Sequence, residues 1–500
     1  MTWNDLVSLI PGPAVSREAA GEIGRLRYDS RQVAPGDVFF ALRGEEADGH
    51  DFIGKALEGG AAGIVAEIER PPGLTVPWLR VQGSRLALAL AADAYYGHPS
   101  RDLRVVGVTG TNGKTTTAFL LHHLVCSSWH RCGLIGTVRY DLGDETVAAE
   151  RTTPESEELQ YCLGRMRDAG CRAAVMEVSS HALMQERAAG VAFAVGIFLN
   201  LSQDHLDYHG SMESYFEAKA RLGELLVSPG PGKRPSLTVN IDDRYGERLV
   251  RRYEGKVDLT TFGMGMKAEF RASDLRTGLW GSTFRLEARG RSHLVRLPLI
   301  GRFNVYNALA ALTGAVSLGL NFRESVRHLA EAPQVPGRME ALDHGGGFRV
   351  FVDYAHSPDA LEKALETLRA LDPKRLTVVF GCGGDRDRTK RPLMGAAAAR
   401  LADFTVLTSD NPRGEDPAAI LAAIEAGMGA APRLVVSDRE EALATAFAHA
   451  RPGDVVLIAG KGHEDYQETA GRRISFDDRR VAGRLLARRD YEITGEAPRR

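Results

Sequence analysis

Short apolar runs alternate with longer helical stretches along this chain, and the character of the alternation changes twice. The first block carries β-type runs at residues 38–42, 63–66 and 78–81 beside an Ala-rich helical stretch at 85–96, and it closes near Gly97, His98 and Pro99. Its turn at Pro35, Gly36 and Asp37 has sound chemistry, Pro fixing one φ and Gly permitting a positive one. A second block opens with the apolar run at 104–109. In it, residues 173–178 and 194–199 are short, apolar and bounded by polar residues, which predicts buried parallel strands. Near-alternating stretches at 256–262 and 275–288 predict an added antiparallel element. A Pro- and Gly-bearing boundary at 333–337 begins a third block, with strands predicted at 376–380, 404–408 and 455–459 and helical segments between them. Such β–α repetition implies an α/β fold of doubly wound parallel sheets whose ligands sit beyond the carboxyl ends of the strands. Three domains are expected, at residues 1–100, 101–334 and 335–500, with a short charged tail at 494–500 predicted to fray.

The junction between the run at 104–109 and the helix after it reads RVVGVTGTNGKTTT. A strand, a Gly-rich turn and a helix start in that order make a phosphate cradle, because backbone N–H groups converge on an anion. Gly110, Thr111, Asn112 and Gly113 form the turn, Lys114 can reach the β- and γ-phosphates, and the Thr115 hydroxyl can ligate Mg²⁺, with Thr116 following. The common P-loop spacing would place a glycine where this chain has Val108, so the pattern is narrower than the generic one. Glu177, at the end of an apolar strand, is placed to hold Mg²⁺, whose hard charge prefers oxygen. Past another strand, residues 200–210 crowd Asp204, His205, Asp207 and His209, a set able to bind a divalent ion or orient a phosphate; spacing does not choose between the two histidines. Lys219 lies in the helical stretch SMESYFEAKARLGELL, where composition makes it a solvated helix lysine.

The three most polar signatures of the third block each follow a predicted strand. Arg386, Arg388, Lys390 and Arg391 form a basic turn; Asp410, Asn411, Pro412 and Arg413 offer a guanidinium and an amide; Gly460 to Glu464 add a carboxylate. Arginine's rigid fork suits a carboxylate and Glu464 suits an ammonium, so together they describe a pocket for a zwitterion such as an amino acid.

Composition narrows the class. With 44% hydrophobic and 26% charged residues and a net charge of −2, the chain is an ordinary globular protein without the basic excess of a nucleic-acid binder. Five cysteines without CxxC spacing suit free thiols in a reducing cytoplasm better than a disulfide framework or a zinc ribbon. No signal peptide or membrane span is expected from the N-terminal residues or from any apolar run.

These residues together resemble the Mur ligase family of ATP-dependent amide-forming ligases. The resemblance is carried by residues 110–116, 177–181, 200–210, 301–304, 336–338, 353–358 and 460–464, and by the Asp29-Ser30-Arg31 turn and the residues Arg151 to Pro154. It implies a UDP-substrate domain, a central P-loop parallel-sheet ATPase domain and a C-terminal Rossmann-like amino-acid domain. It further implies ATP and Mg²⁺ as cofactors. Gly110 to Thr116, Asn304, Arg338 and Asp353 would contact ATP. Thr115, Glu177, His205 and a carbamylated Lys219 would serve the metal, and Lys114, Lys219, Glu177 and His205 would be catalytic. Ser30, Arg43, Gly44, Glu45, Thr152, Thr153, Ser179, Gln185 and Arg187 would hold a UDP-N-acetylmuramoyl dipeptide.

The residues Asp410 to Arg413 resemble the form of the family that uses meso-diaminopimelate, whose second carboxylate Arg413 and Arg386 would bind while Gly460 and Glu464 take the distal amine. A lysine user would leave Arg413 buried and unpaired, which is costly. The implied reaction is attack of a substrate carboxylate on ATP to give an acyl phosphate, then aminolysis, with domain closure excluding water. The alternatives are the same ligation with L-lysine or another diamino acid, and a P-loop kinase or ATPase of other function. The chain is expected to be a cytoplasmic monomer, with no nucleic-acid partner and no membrane insertion.

Overall fold

Val38–Phe40, Gly63–Ala66 and Trp78–Arg80, the apolar runs of the first block, lie side by side and parallel in the middle of a five-stranded sheet. Leu26–Arg27 extends it in parallel on one side and Ala14–Val15 pairs antiparallel on the other. The helix Ser84–Tyr95 buries Ala87, Leu88, Ala91 and Ala92 in a core shared with Val38, Phe40, Val65 and Leu79. This computed structural model describes residues 1–10, 14–15, 21–45, 47–227 and 235–494; all but the first residue of the predicted charged tail lies outside the described residues. The chain divides into two compact units: the first comprises Met1–Ser273, Leu286–His293 and Tyr306–Leu329, the second Asp274–Arg285, Leu294–Val305 and the chain from Ala330 onward.

The first unit also carries a run of six parallel strands within an eleven-stranded sheet. Its strands run in spatial order Asp258–Gly263, Ser236–Asn240, Phe193–Phe198, Arg104–Thr109, Ala173–Glu177 and Cys132–Ile135. Arg104–Thr109 is therefore central, covered on both faces, and Val105, Val106 and Val108 are fully buried. A strand in that position has to be apolar along its length, which is why it reads as an unbroken run. The antiparallel expectation for 256–262 fails. Asp258–Gly263 pairs parallel with Ser236–Asn240, because the helix Arg244–Tyr253 between them supplies the crossover that a parallel neighbour requires. The stretch 275–288 does form a hairpin. Phe270–Gly278 and Gly281–Ala288 are adjacent strands joined only by Leu279 and Trp280, a link short enough to join antiparallel neighbours alone.

The second unit holds a six-stranded sheet in the order Glu340–Leu342, Arg349–Asp353, Val455–Ala459, Leu376–Phe380, Phe404–Leu407, Arg433–Val435, parallel except for the first pair. Val378, Phe380 and Leu457 point into one core and Val379, Val456 and Ile458 into another, the period-two signature of a sheet covered on both faces. The carboxyl ends of these strands lead into residues 353–358, 381–391, 408–413 and 460–464, so the polar signatures of the third block gather at one edge of one sheet.

Candidate active site

The central strand Arg104–Thr109 delivers the Gly-rich turn to the start of the helix Lys114–Trp129. Gly113 caps that helix with φ +89°, and a Cβ there would stand 2.2 Å from Asn307 Oδ1, so this position accepts only glycine. The cap has no side-chain hydrogen bond, as suits a helix N-terminus built to receive an anion. The segment after Phe193–Phe198 clasps the turn: Asn112 N–H donates to Asn200 Oδ1 at 2.9 Å, Asn200 Nδ2 to the Asn112 carbonyl at 3.1 Å, and Thr111 Oγ1 to the Ser202 carbonyl at 3.3 Å. Lys114 Nζ folds over the turn, donating to the Gly110 and Thr111 carbonyls at 2.9 Å each. Thr116 is buried behind it.

Glu177 ends the strand beside this turn and is buried. Its carboxylate accepts from the Thr115 hydroxyl at 3.0 Å, the Thr137 hydroxyl at 3.2 Å and the Thr137 N–H at 2.8 Å. Among the described residues it has no cationic partner. A buried carboxylate joined to a phosphate-loop hydroxyl and lacking a counter-charge fits a hard divalent cation such as Mg²⁺.

The solvated reading of Lys219 is overturned: the helix Met212–Val227 turns this face inward, leaving the residue 2% exposed. Its Nζ donates to the Gly110 carbonyl at 2.9 Å and lies 4.7 Å from the Tyr215 ring centroid. Burial, with Lys114 adding repulsion, pulls its proton affinity well below that of an ordinary lysine. Composition misses this because the burial comes from tertiary packing over the phosphate turn.

The structure also separates the two histidines. His209 is buried with Nε2 3.0 Å from Ser180 Oγ and its ring stacked on Tyr215 at 4.7 Å; burial, aided by His181, pushes it down to about 4. His205, with φ +51°, instead faces a cleft and packs edge-on against His181 at 4.9 Å.

That cleft, about 500 Å³, joins many of the predicted residues: Glu45, Lys114, Thr152, Thr153, Ser179, Gln185, Arg187 and His205 all line it. The walls are tied together. Thr153 Oγ1 donates to the Glu177 carbonyl at 2.9 Å and accepts from the Ser179 N–H at 3.1 Å, and Arg187 Nη1 donates to the Thr153 carbonyl at 3.0 Å. Gln185 Nε2 reaches Glu45 at 3.2 Å. Thr137, Glu150, Arg151 and His181 also line the cleft and were not singled out as site residues from the sequence; Arg151 and His181 stand inside recognisable motifs, whereas Thr137 and Glu150 carry no local signal. Ser30, Arg43 and Gly44 lie outside this lining. Ser30 starts a one-turn helix capped by Asp29, Gly44 N–H bonds the Ala47 carbonyl at 2.9 Å, and Arg43 faces Glu67 at 3.3 Å.

In the second unit Asp353 accepts from the Met339 and Ala355 N–H groups at 2.6 and 2.9 Å. Desolvation pushes its carboxyl up, opposed by Arg338, whose guanidinium lies 5.0 Å from the Tyr354 ring centroid. Asn304 is buried with Nδ2 on the Ile300 carbonyl at 2.9 Å.

Asp410, Asn411, Pro412, Arg413, Gly460 and Glu464 do come together at the strand ends. Asn411 Nδ2 donates to Glu464 at 2.9 Å, and its Oδ1 accepts from Lys461 Nζ and the Glu468 N–H at 3.0 Å each. Gly460, at φ +112°, passes so close that a Cβ would stand 2.5 Å from Asp410 Oδ2. Arg413 Nη1 donates to the Gly384 carbonyl at 2.8 Å, and Nε lies 3.7 Å from Glu468. A Cβ at Gly383 would lie 2.9 Å from Arg413 Nη1 and 3.9 Å from Arg386 Cγ, so the two guanidinium-bearing chains flank this glycine.

The basic turn is less available than its composition implies. Arg388 and Arg391 are held on Glu415 at 3.1 and 2.8 Å and Lys390 on the His356 carbonyl at 2.9 Å, leaving Arg386 exposed. Lys461, Glu468 and the buried Arg439–Asp478 pair at 2.7 Å, which grips the Ser409 and Ala459 carbonyls, are supports that no short motif advertises.

Three stretches match descriptions of one family: residues 22–96 the Mur ligase family catalytic domain, 108–315 the Mur ligase middle domain, and 337–462 the Mur ligase glutamate ligase domain. A UDP-N-acetylmuramoyl-L-alanyl-D-glutamate--2,6-diaminopimelate ligase of Geobacillus kaustophilus is 46% identical over 480 residues, 95% of this chain and 97% of that enzyme. The enzyme of the same name from Streptomyces coelicolor is 44% identical over 477 residues, covering 93% of this chain and 92% of its own. A solved structure of a ligase with that name superposes with a TM-score of 0.68 at 34% identity, over 93% of this chain and 94% of its own. The ADP complex of a MurF ligase from Thermotoga maritima shares the fold, with a TM-score of 0.58 at 22% identity over 94% of this chain and 97% of its own.

Proposed function

The chain belongs to the Mur ligase family, and from that premise we propose that it joins meso-2,6-diaminopimelate to UDP-N-acetylmuramoyl-L-alanyl-D-glutamate, with cleavage of ATP to ADP and phosphate, in peptidoglycan precursor synthesis. The observation that carries the reading is the single cleft faced both by Lys114 of the phosphate turn and by Thr152, Thr153, Gln185 and Arg187. A carboxylate-activating enzyme needs its phosphate donor and its acid acceptor on one wall, within reach of the same cations.

The D-glutamate γ-carboxylate attacks the γ-phosphorus of ATP; a P–O bond forms, ADP leaves, and an acyl phosphate results. Lys114, swung from its carbonyl rests onto the phosphates, offsets the repulsion between the two anions, and the helix start at Gly113 receives the phosphate oxygens. Lys114, Arg151 and Arg187 outnumber Glu45 and Glu150 in the cleft lining, a balance that suits an anionic dipeptide. The diaminopimelate amine then attacks the acyl carbon, phosphate departs, and the amine loses a proton.

Thr115, Glu177, His205 and Lys219, the last as its carbamate, are the residues we assign to Mg²⁺, which when bound neutralises phosphate charge. A neutral amine is what reacts with CO₂, and burial favours that form of Lys219. Asn304, Arg338 and Asp353 are assigned to ATP, Ser30 and Arg43 to Glu45 to the UDP substrate, and the divisions at residues 100 and 334 to three domains. A monomer acting in the cytoplasm completes the reading; among the described residues no helix is long and apolar enough to cross a membrane.

Arg413, held on Gly384 and Glu468 beside Arg386, is assigned to the distal carboxylate of diaminopimelate, and Glu464 to its distal ammonium. In Arg413→Ala, kcat/KM for diaminopimelate should fall by about 100-fold or more, with KM for ATP within about twofold of the original. Steady-state kinetics with each substrate varied in turn tests this. Equal losses for both substrates would refute the assignment.

A further inference from the structure

The far end of the phosphate-loop helix brings together three groups of metal-ligand type that the ligation chemistry does not use. His122 and Cys126, four residues apart, share one face of the helix Lys114–Trp129. The chain reverses through His130, at φ +68°, and Cys132 then opens the strand Cys132–Ile135. One ligand atom from each of the three lies within 4.8 Å of the others, and among the described residues no other three His, Cys, Asp or Glu side chains come so close.

Cys126 Sγ stands 3.5 Å from His122 Nε2. Tetrahedral zinc with bond lengths of about 2.3 Å to sulfur and 2.0 Å to nitrogen places those two atoms about 3.5 Å apart. Asp141 Oδ2 lies 3.8 Å from the same Nε2 but outside the group of three, so its carboxylate has to swing inward to complete a tetrahedron. That nitrogen now bonds the Cys132 carbonyl at 2.9 Å, a contact that ligation would replace. Cys132 is buried and Cys126 half-buried, so the corner is closed on one side and reachable on the other. Thiolate and imidazole are soft and borderline donors, unlike the oxygen set around Glu177.

We propose that His122, Cys126 and Cys132, with the Asp141 carboxylate as fourth ligand, form a tetrahedral site for a soft divalent cation of the zinc class. Four protein ligands make it a structural site. It would fasten the last turn of the phosphate-loop helix to the strand whose continuation sets Thr137 on Glu177. The lack of CxxC spacing hides it in the sequence, because the ligands come from a helix, the start of the strand Cys132–Ile135 and the end of the strand Arg139–Asp141.

The full-length protein, reduced and stripped with chelator, is dialysed against zinc, then freed of excess and assayed for metal. About one equivalent per chain should remain. Cobalt(II) in its place should give the thiolate-to-metal charge-transfer absorption and strong visible bands of a tetrahedral thiolate site. Zinc should slow alkylation of Cys126, read by mass spectrometry, by about tenfold or more, with Cys162 unchanged. C126S and H122N should each lose the bound zinc and keep the ligase activity. Zinc at background in the wild type, a cobalt spectrum without charge transfer, or zinc retained by C126S would each overturn the proposal. The cobalt spectrum of the wild type decides the matter even if a variant fails to fold.

Discussion

A lysine ammonium removed from water loses the solvation that keeps it protonated, and Lys219 is in that position. Among the described residues a carbonyl oxygen, the face of a phenol ring and the charge of Asp204 favour its ammonium form, while burial and Lys114 oppose it, and a neutral amine beside the phosphate turn is chemically useful where a buried cation costs stability. Lys219→Met keeps the volume and removes the amine. We expect its melting temperature to equal or exceed that of the wild type while turnover falls about 100-fold or more. Loss of stability in parallel with activity would make Lys219 a structural residue. Burial acts on His209 in the same direction. Its folded value near 4 lies below an unfolded value of about 6.5, so between those limits the unfolded chain binds the extra proton. The contribution is present in full above pH 6.5 and is lost as the pH falls towards 4. Relative to His209→Asn, the wild type should lose on the order of 1–2 kcal/mol over that window, after allowance for solvent screening of the ring. Urea midpoints at pH 7 and pH 4 measure it; a constant difference would count against the assignment.

At the scale of elements, the strand–turn–helix at 104–129 joins fold to chemistry, and Gly113 is its hinge point. Gly113→Ala would put a Cβ on Asn307 at a positive φ, so nucleotide affinity should drop about tenfold or more and stability by at least about 1 kcal/mol. Calorimetric titration with ADP and thermal melting check both, and an unchanged affinity would contradict the cradle. The same scale explains what could be read in advance. Strands covered on both faces, such as Val455–Ala459 and Leu376–Phe380, write themselves as apolar runs, and a parallel sheet puts the polar segments after them at one edge. Asp258–Gly263 misleads because a near-alternating sequence says nothing about the direction of a strand's neighbour; the strand itself runs from an exposed start into a buried end. The cleft was legible where residues sit in motifs, as Lys114, Thr152 and Ser179 do. Thr137, Lys461 and the pair Arg439–Asp478 were not, because their roles come from distant segments that only tertiary packing brings near.

At the scale of the whole molecule, the phosphate turn and the cleft assigned to the dipeptide belong to one unit, and the cluster assigned to the amino acid to the other. A ligase with those assignments should couple ATP cleavage to amide formation. The most direct measurement supplies the purified enzyme with ATP, Mg²⁺ and the UDP-muramoyl dipeptide, adds meso-diaminopimelate or L-lysine, and follows ADP release alongside the product mass. The account predicts about one ADP per amide formed and a kcat/KM at least about 100-fold higher for meso-diaminopimelate. ADP release without an amide product, or a preference for L-lysine, would contradict it.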